Sequence, residues 1–253
     1  MMACVRGTEE ATPLLSDSQS QTVNLEAKNA EPTPLPKAQL FYILVIFMYE
    51  PLSLKFDQSF INELIFEFGI SGGDPARVGY YAGLVKSSFF LAQCAFVFLW
   101  CRLSDSVGRR PVIISGLCAG TIATVAFGFS RTLPSLMLWR MVAGGLNGNL
   151  GILKGMIAEI TDESNQAKAF SFSQAIFAAS SIVGPLIGGQ LANPTKRFPR
   201  IFGNLTLFIV YPYLFPCLVV ALFSSIGLVI AIFFLEETAR NAQDCLYHRT
   251  SLI

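Results

Sequence analysis

The sequence predicts an all-α membrane protein of six transmembrane helices, and three observations predict it. Of its residues 53% are apolar and only 14% are charged, with 22 phenylalanines, too greasy a mixture for an ordinary water-soluble domain. The apolar residues gather into runs of about 20 or more, the length a helix needs to cross the hydrocarbon core. Polar connectors carrying glycine, proline or charge separate the runs. A helix satisfies its own backbone hydrogen bonds, which is the condition for spanning lipid.

Residues 1–37 are polar, rich in Ser, Thr, Pro and Glu, and without periodicity. Such a segment cannot bury enough apolar surface to fold and is expected to be a disordered cytoplasmic tail. No positively charged start precedes an apolar stretch there, which argues against a cleaved signal peptide. Within it, Glu10-Ala-Thr-Pro-Leu14-Leu15 resembles an acidic dileucine sorting signal, a pattern short enough to recur by chance.

The helical bundle is expected over residues 38–238. Its first helix, Leu40–Phe68, is interrupted by Glu50, Lys55, Asp57 and Asn62 and so must have a polar interior. Val78–Trp100, Pro111–Phe129, Leu136–Ile157, Phe170–Leu191 and Tyr211–Leu235 complete the set. Residues 69–77 and 130–134 read as short turns, 158–169 as a charged loop and 192–210 as a longer polar segment. Residues 101–110 crowd Arg102, Asp105, Gly108, Arg109 and Arg110 into a short connector between two apolar runs. Residues 239–253 are polar again and are expected to form a second cytoplasmic tail.

Lys37, Arg102, Arg109, Arg110, Lys168, Arg240 and Arg249 fall on one side, and Arg77, Arg131, Lys196, Arg197 and Arg200 on the other. The excess on the first side places it, and both termini, in the cytoplasm. Asn204-Leu-Thr206 is a glycosylation sequon that falls on the outer side.

Charged residues at mid-membrane cost roughly 2.5–3.5 kcal/mol each, so each needs an explanation. At 100° per residue, Glu50, Ser53 and Asp57 share one face of the first helix, while Lys55, Gln58 and Asn62 share another. Lys86 and Gln93 superpose in the second helix. Arg140, Asn147 and Lys154 repeat at sevens in the fourth, forming one polar stripe. Arg140 lies near its helix end, so a snorkelling role competes with a cavity role. Gly144, Gly148, Gly151 and Gly155 lie on nearly the same side and either serve close packing alone or belong to the site. In the fifth helix, Gly184-Pro185-Leu-Ile-Gly188-Gly189 should bend the chain. These inward polar faces describe half of a cavity rather than a simple anchor.

Other chemistries are poorly served. A net charge of +1 supplies no basic field for nucleic acid. Cys4, Cys94, Cys101, Cys118, Cys217 and Cys245 have neither disulfide-framework spacing nor a CxxC pair and read as small apolar packers. The lone His248 lies in a polar tail. Without carboxylates paired with His, a metal cluster or a Gly-rich phosphate loop, no enzyme, cofactor or metal site is expected.

The motifs resemble those of a known family. Trp100-Cys-Arg-Leu-Ser-Asp105-Ser-Val-Gly108-Arg109-Arg110-Pro111 is similar to the signature between helices two and three of the major facilitator superfamily. Arg140-Met-Val-Ala-Gly144-Gly-Leu-Asn-Gly148-Asn149 is similar to its helix-four motif, whose arginine is associated with proton coupling. Gly184, Pro185, Gly188 and Gly189 resemble its helix-five antiporter motif. Glu50-Pro51 and Glu236-Glu237-Thr238 fit the fungal and plant proton-coupled antiporter branch, the multidrug-resistance and zinc-induced-facilitator-like proteins. The sequence departs from the family at Cys101, usually glycine, at Ser106, often basic, at Phe47, often arginine, and at Lys86, more often acidic or neutral.

The resemblance implies the N-terminal six-helix half of a twelve-helix fold, with the substrate site between two halves. It implies a transporter of a small solute, coupled to protons by alternating access and incomplete as it stands. Arg140, Glu50, Asp57, Lys86, Gln93, Asn147 and Lys154 would line the cavity. Arg102, Asp105, Gly108, Arg109 and Arg110 would form a cytoplasmic gate. Implied partners are a small molecule, protons, the bilayer, and a second half or second copy, in a vacuolar or plasma membrane. The alternative is a non-transporting fragment, or a partner half that binds another membrane protein.

Overall fold

A computed structural model describes residues 36–203 and 205–235. The tails, the dileucine-like Glu10–Leu15, Asn204 of the sequon, Glu236-Glu237-Thr238, His248, Cys4 and Cys245 lie outside the described residues. Every described regular element is helical, in keeping with the all-α expectation.

Helix α1 (Lys37–Lys55) runs through Pro51, continues as a 3₁₀ turn (Phe56–Ser59), and resumes as α2 (Ile61–Glu67). The expected single helix Leu40–Phe68 is therefore broken in two places near its polar residues. Gly69, Gly72 and Gly73 all take positive φ in the turn that follows. There Asp74 caps α3 (Pro75–Val107), its Oδ1 accepting from the Ala76 N–H at 2.9 Å with Pro75 in the first turn. A single residue separates the end of α3 from helix α4 (Arg109–Gly128). The expected connector 101–110 thus shrinks to Gly108, whose φ of 110° only glycine adopts readily. Arg102 and Asp105 belong to the last turns of α3 instead.

The fourth apolar run also departs from expectation. It forms α5 (Leu133–Gly145) and α6 (Asn149–Glu159), with a break at 146–148. Glycine favours the helix poorly, and Gly144, Gly145 and Gly148 sit at the break. Opening the ladder in lipid requires other donors. Trp100 Nε1 donates to the Gly145 carbonyl at 2.7 Å, and Gln93 Nε2 to the Asn147 carbonyl at 3.5 Å.

Helix α7 (Gln166–Leu191) continues through Pro185. The segment expected as merely polar, 192–210, holds the short helices α8 (Pro194–Arg197), α9 (Pro199–Phe202) and α10 (Thr206–Val210). Helix α11 (Leu214–Phe233) ends the described chain. Five segments are long and apolar enough to cross a membrane, and the broken α5–α6 pair makes the sixth span.

The most extensive pairings are α3 with α5, α4 with α11, and α1 with α7. Ile43, Ile46, Phe47, Leu52, Phe56 and Phe60, from α1 and the turn after it, are fully buried, which places that segment at the centre of the bundle. Small residues set the spacing. A Cβ on Gly144 would strike the Phe89 backbone carbonyl, and one on Gly188 the Phe56 carbonyl. Helices α3 and α7 are the least covered of the spans.

Candidate functional site

The site begins with an arginine that has no water to go to. Arg140 on α5 is 5% exposed, and its Nη2 lies 2.6 Å from Asp57 Oδ2 of the 3₁₀ turn. This is a charge contact rather than an aligned hydrogen bond, since Arg140 Nη2 and Asp57 Oδ1 both lack hydrogen-bond partners. Arg140 Nη1 also donates to the Ser53 carbonyl at 3.3 Å. The guanidinium lies over Phe127 and Phe56, at 4.6 and 5.3 Å from the ring centroids. An end residue reaching for water would not be packed between two rings, so the snorkelling alternative does not describe Arg140.

Two helical turns before Asp57, Glu50 is 1% exposed and has no ion-pair partner among the described residues. Asn147, in the break between α5 and α6, donates from Nδ2 to Glu50 Oε2 at 2.5 Å. Glu50 Oε1, Asn147 Oδ1 and Asn149 Oδ1 are buried without a donor. Asn149 is 1% exposed and sits against the bare backbone of Gly116 on α4. Sequence reasoning quoted Asn149 without placing it in the site. Its polarity inside an apolar run, two residues from Asn147, was the available signal.

Glu50, Ser53 and Asp57 are all buried, as one face of the first segment; Gln58 and Asn62 are exposed and Lys55 half-buried on the other. Lys86 borders the crevice that holds Asp57 and Arg140, with Leu54, Phe89 and Phe90. Phe90 also borders a larger groove of about 450 Å³ that contains Gln93, Asn147 and Lys154. The expected seven-residue stripe is therefore divided: Arg140 on α5, Asn147 in the break and Lys154 on α6. Six of the seven expected cavity residues border these two grooves, which share Phe90; Glu50 borders neither and meets Asn147 from within the bundle.

The residues expected to form a gate, at the α3–α4 corner, have different surroundings. Arg109 Nη2 contacts Glu159 Oε1 at 2.5 Å, and its Nη1 donates to the Ile152 carbonyl at 3.3 Å, tying α4 to α6. Arg110 donates from Nε to the Ala231 carbonyl at 3.4 Å and from Nη2 to the Ile232 carbonyl, at the negative end of the α11 dipole. Arg102 and Asp105 are exposed. Gly184 and Gly188 are buried against the first segment, Gly189 lies near Ser59, and Ser59 Oγ donates to the Pro185 carbonyl at 2.7 Å.

A polar cluster at the opposite end went unread in the sequence. Asn193, in the left-handed conformation at φ 52°, donates to Glu63 Oε1 at 3.0 Å and lies 3.4 Å from the Tyr213 hydroxyl. Tyr213 donates to Glu67 Oε2 at 2.6 Å, and Lys196 Nζ lies 2.7 Å from Glu67 Oε1. Burial raises the Glu67 carboxyl, but the hydrogen bonds from Lys196 and Tyr213 outweigh it and hold the group below its ordinary value. The same contact holds the Lys196 ammonium above its own. Burial, then the Glu67 carboxylate, pushes the Tyr213 phenol up. Among the described residues no group of three or more His, Cys, Asp or Glu is placed to hold a metal ion.

The Major Facilitator Superfamily model matches residues 40–244. "Major facilitator superfamily multidrug transporter mfsB" of Aspergillus fumigatus is 36% identical over 204 residues, 80% of this chain and 34% of that protein. "Major facilitator-type transporter psiT2" of Psilocybe cyanescens is 34% identical over 234 residues, 91% of this chain and 44% of that protein. Among solved structures, the human organic anion transporter MFSD10 (TETRAN) superposes with a TM-score of 0.64 at 17% identity, over 81% of this chain and 49% of that one. The chain spans less than half the length of each.

Proposed function

This chain belongs to the major facilitator superfamily, and on that premise we propose that it supplies the N-terminal half of a transporter that exports a small solute in exchange for protons. The observation that carries the proposal is the buried Arg140–Asp57 pair, in a crevice that Lys86 also borders, lined from α1, the turn after it, α3 and α5. A proton arriving at Asp57 neutralises the partner of Arg140 and frees the guanidinium to attract a solute or a different carboxylate. A proton at Glu50 Oε1 supplies the hydrogen that this oxygen lacks. Loading and unloading of these carboxylates then biases which side of the cavity is open, as two halves rock about the site.

Arg102 and Asp105, exposed at the end of α3, are the gate residues free to meet another half; Arg109 and Arg110 brace the corner from which they project. We place both termini in the cytoplasm on the excess of Lys and Arg there, in a vacuolar or plasma membrane. Gly184, Pro185, Gly188 and Gly189 set the approach of α7 to the site. A second reading, a half that binds another membrane protein without transporting, is favoured by the thin cover of α3 and α7.

Reconstitution into vesicles with an imposed pH gradient separates the two. Solute flux driven by the gradient, lost on Arg140→Ala, is the expected result. Flux indifferent to the gradient removes proton coupling, and wild-type flux in Arg140→Ala removes that residue from the mechanism. Absence of flux, with stable capture of a second membrane protein, supports the second reading.

A further inference from the structure

Between α7 and α11 the chain makes an excursion whose two ends are tied together. The Asn193 N–H donates to the Pro212 carbonyl at 3.0 Å, which closes residues 194–211 into a loop. Helix α11 has 20 residues and reaches about 30 Å, the depth of a typical hydrocarbon core. Its first residue, Leu214, and the loop beside it therefore lie at the lipid–water boundary.

The loop overhangs lipid rather than the polar wall. Phe202 and Phe208 pack on Phe215 in the first turn of α11, with ring centroids 4.9 and 5.6 Å away. Phe215, Leu218 and Leu222 share one helical face by their spacing, and Leu218 and Leu222 are exposed. Cys217, Val220 and Ser224, which α11 buries in the core, lie on its other side. With the inner aromatics engaged in this packing, Phe198, Leu205, Leu207 and Ile209 are left 42%, 46%, 47% and 57% exposed. So large an apolar set is unusual on a surface that meets only water.

Charge points the same way. Residues 192–213 carry Lys196, Arg197 and Arg200 and no Asp or Glu. Lys196 contacts Glu67 and Arg197 donates to Gln190, whereas Arg200 is exposed and has no ion-pair partner among the described residues. Apolar side chains beside an unpaired guanidinium, at headgroup depth, match a phospholipid of net negative charge.

We propose that residues 194–211 lie in the headgroup layer as a membrane anchor selective for anionic phospholipids. Phe198, Leu205, Leu207 and Ile209 enter the upper acyl region, and Arg200 holds a lipid phosphate. The inference rests on the chain's place in a bilayer and not on transport.

The test is photocrosslinking of the purified full chain in nanodiscs of mixed phosphatidylcholine and phosphatidylglycerol, with Phe198 or Leu207 replaced, one at a time, by p-benzoylphenylalanine. Mass spectrometry should find phospholipid adducts at both positions, as at Leu222, a control on the exposed face of α11. At position 198 phosphatidylglycerol should appear about fivefold above its share of the bilayer, the factor that one basic residue near the surface supplies. Arg200→Gln should remove most of that excess without lowering the total of lipid adducts, and Arg200→Lys should keep it. Adducts between two copies of the chain in place of lipid overturn the anchor, as does the absence of lipid adducts at both positions. Phosphatidylglycerol at its bulk share, or an excess unchanged in Arg200→Gln, overturns the anionic selectivity.

Discussion

At the scale of single residues, the site is governed by groups that cannot reach water. Asp57→Asn would leave Arg140 charged and unpaired between Phe56 and Phe127. Breaking such a pair from one side destabilises by about 3–5 kcal/mol. Chemical denaturation in detergent should show that loss, and Asp57→Leu combined with Arg140→Met should recover much of it. Failure of the double variant to recover would mean that the pair is not a closed charge unit. Gly144→Val sets a branched side chain against the Phe89 carbonyl, a backbone neighbour that cannot turn aside. A loss of about 1–3 kcal/mol is expected from such overpacking. The charges at 50, 57, 86 and 140 were legible as anomalies in apolar runs. Which of them pair was not, because Asp57 and Arg140 are far apart in sequence and meet only when the turn after α1 comes against α5.

At the scale of elements, hydropathy located all the spans but misjudged where they break. Length and apolarity are summed over a run, whereas a break depends on whether a side chain can replace a lost backbone hydrogen bond. Trp100 and Gln93 do so for the fourth span, and neither lies near it in sequence. The charge-rich stretch at 101–110 looked like a loop for a related reason. Charge argues for water, and the end of α3 can be both helical and wet. Arg110 makes this corner more than a turn, since it closes the last carbonyls of α11. Arg110→Ala should therefore fray α11, seen as faster hydrogen exchange over Ile230–Phe233 with little change in α7. Uniform change across both helices would contradict that local role.

At the scale of the whole molecule, the two ends of the bundle are tied differently. The cluster of Glu63, Glu67, Asn193, Lys196 and Tyr213 joins α2, the α7–α11 connection and the start of α11. Glu67 has its folded-state pKa depressed, so its stabilisation is fully present above the unfolded value and is lost as pH falls through the folded one. Lys196→Met should lower the melting temperature slightly at neutral pH, and the difference should shrink below about pH 4. Because Lys196 is 68% exposed, solvent screening keeps the effect below about 1 kcal/mol. An acid-insensitive difference would assign the effect to packing. This cluster was invisible in sequence because its members come from α2, the α7–α11 connection and the start of α11, segments that meet only through the fold.

The unequal lengths of the spans carry one more consequence. At about 1.5 Å per residue, the 33 residues of α3 reach about 50 Å, whereas the 20 residues of α4 and of α11 reach about 30 Å. The short helices match the thickness of a typical hydrocarbon core, so they register the protein in the bilayer. The surplus of α3 must tilt or emerge, and the charges at 102 and 105 favour emergence at that end. A thicker membrane would then be accommodated by drawing the end of α3 inward, carrying Asp105 towards the headgroups. Hydrophobic mismatch would act on this molecule through the corner proposed as its gate, making bilayer thickness a variable in how readily a gate built there opens.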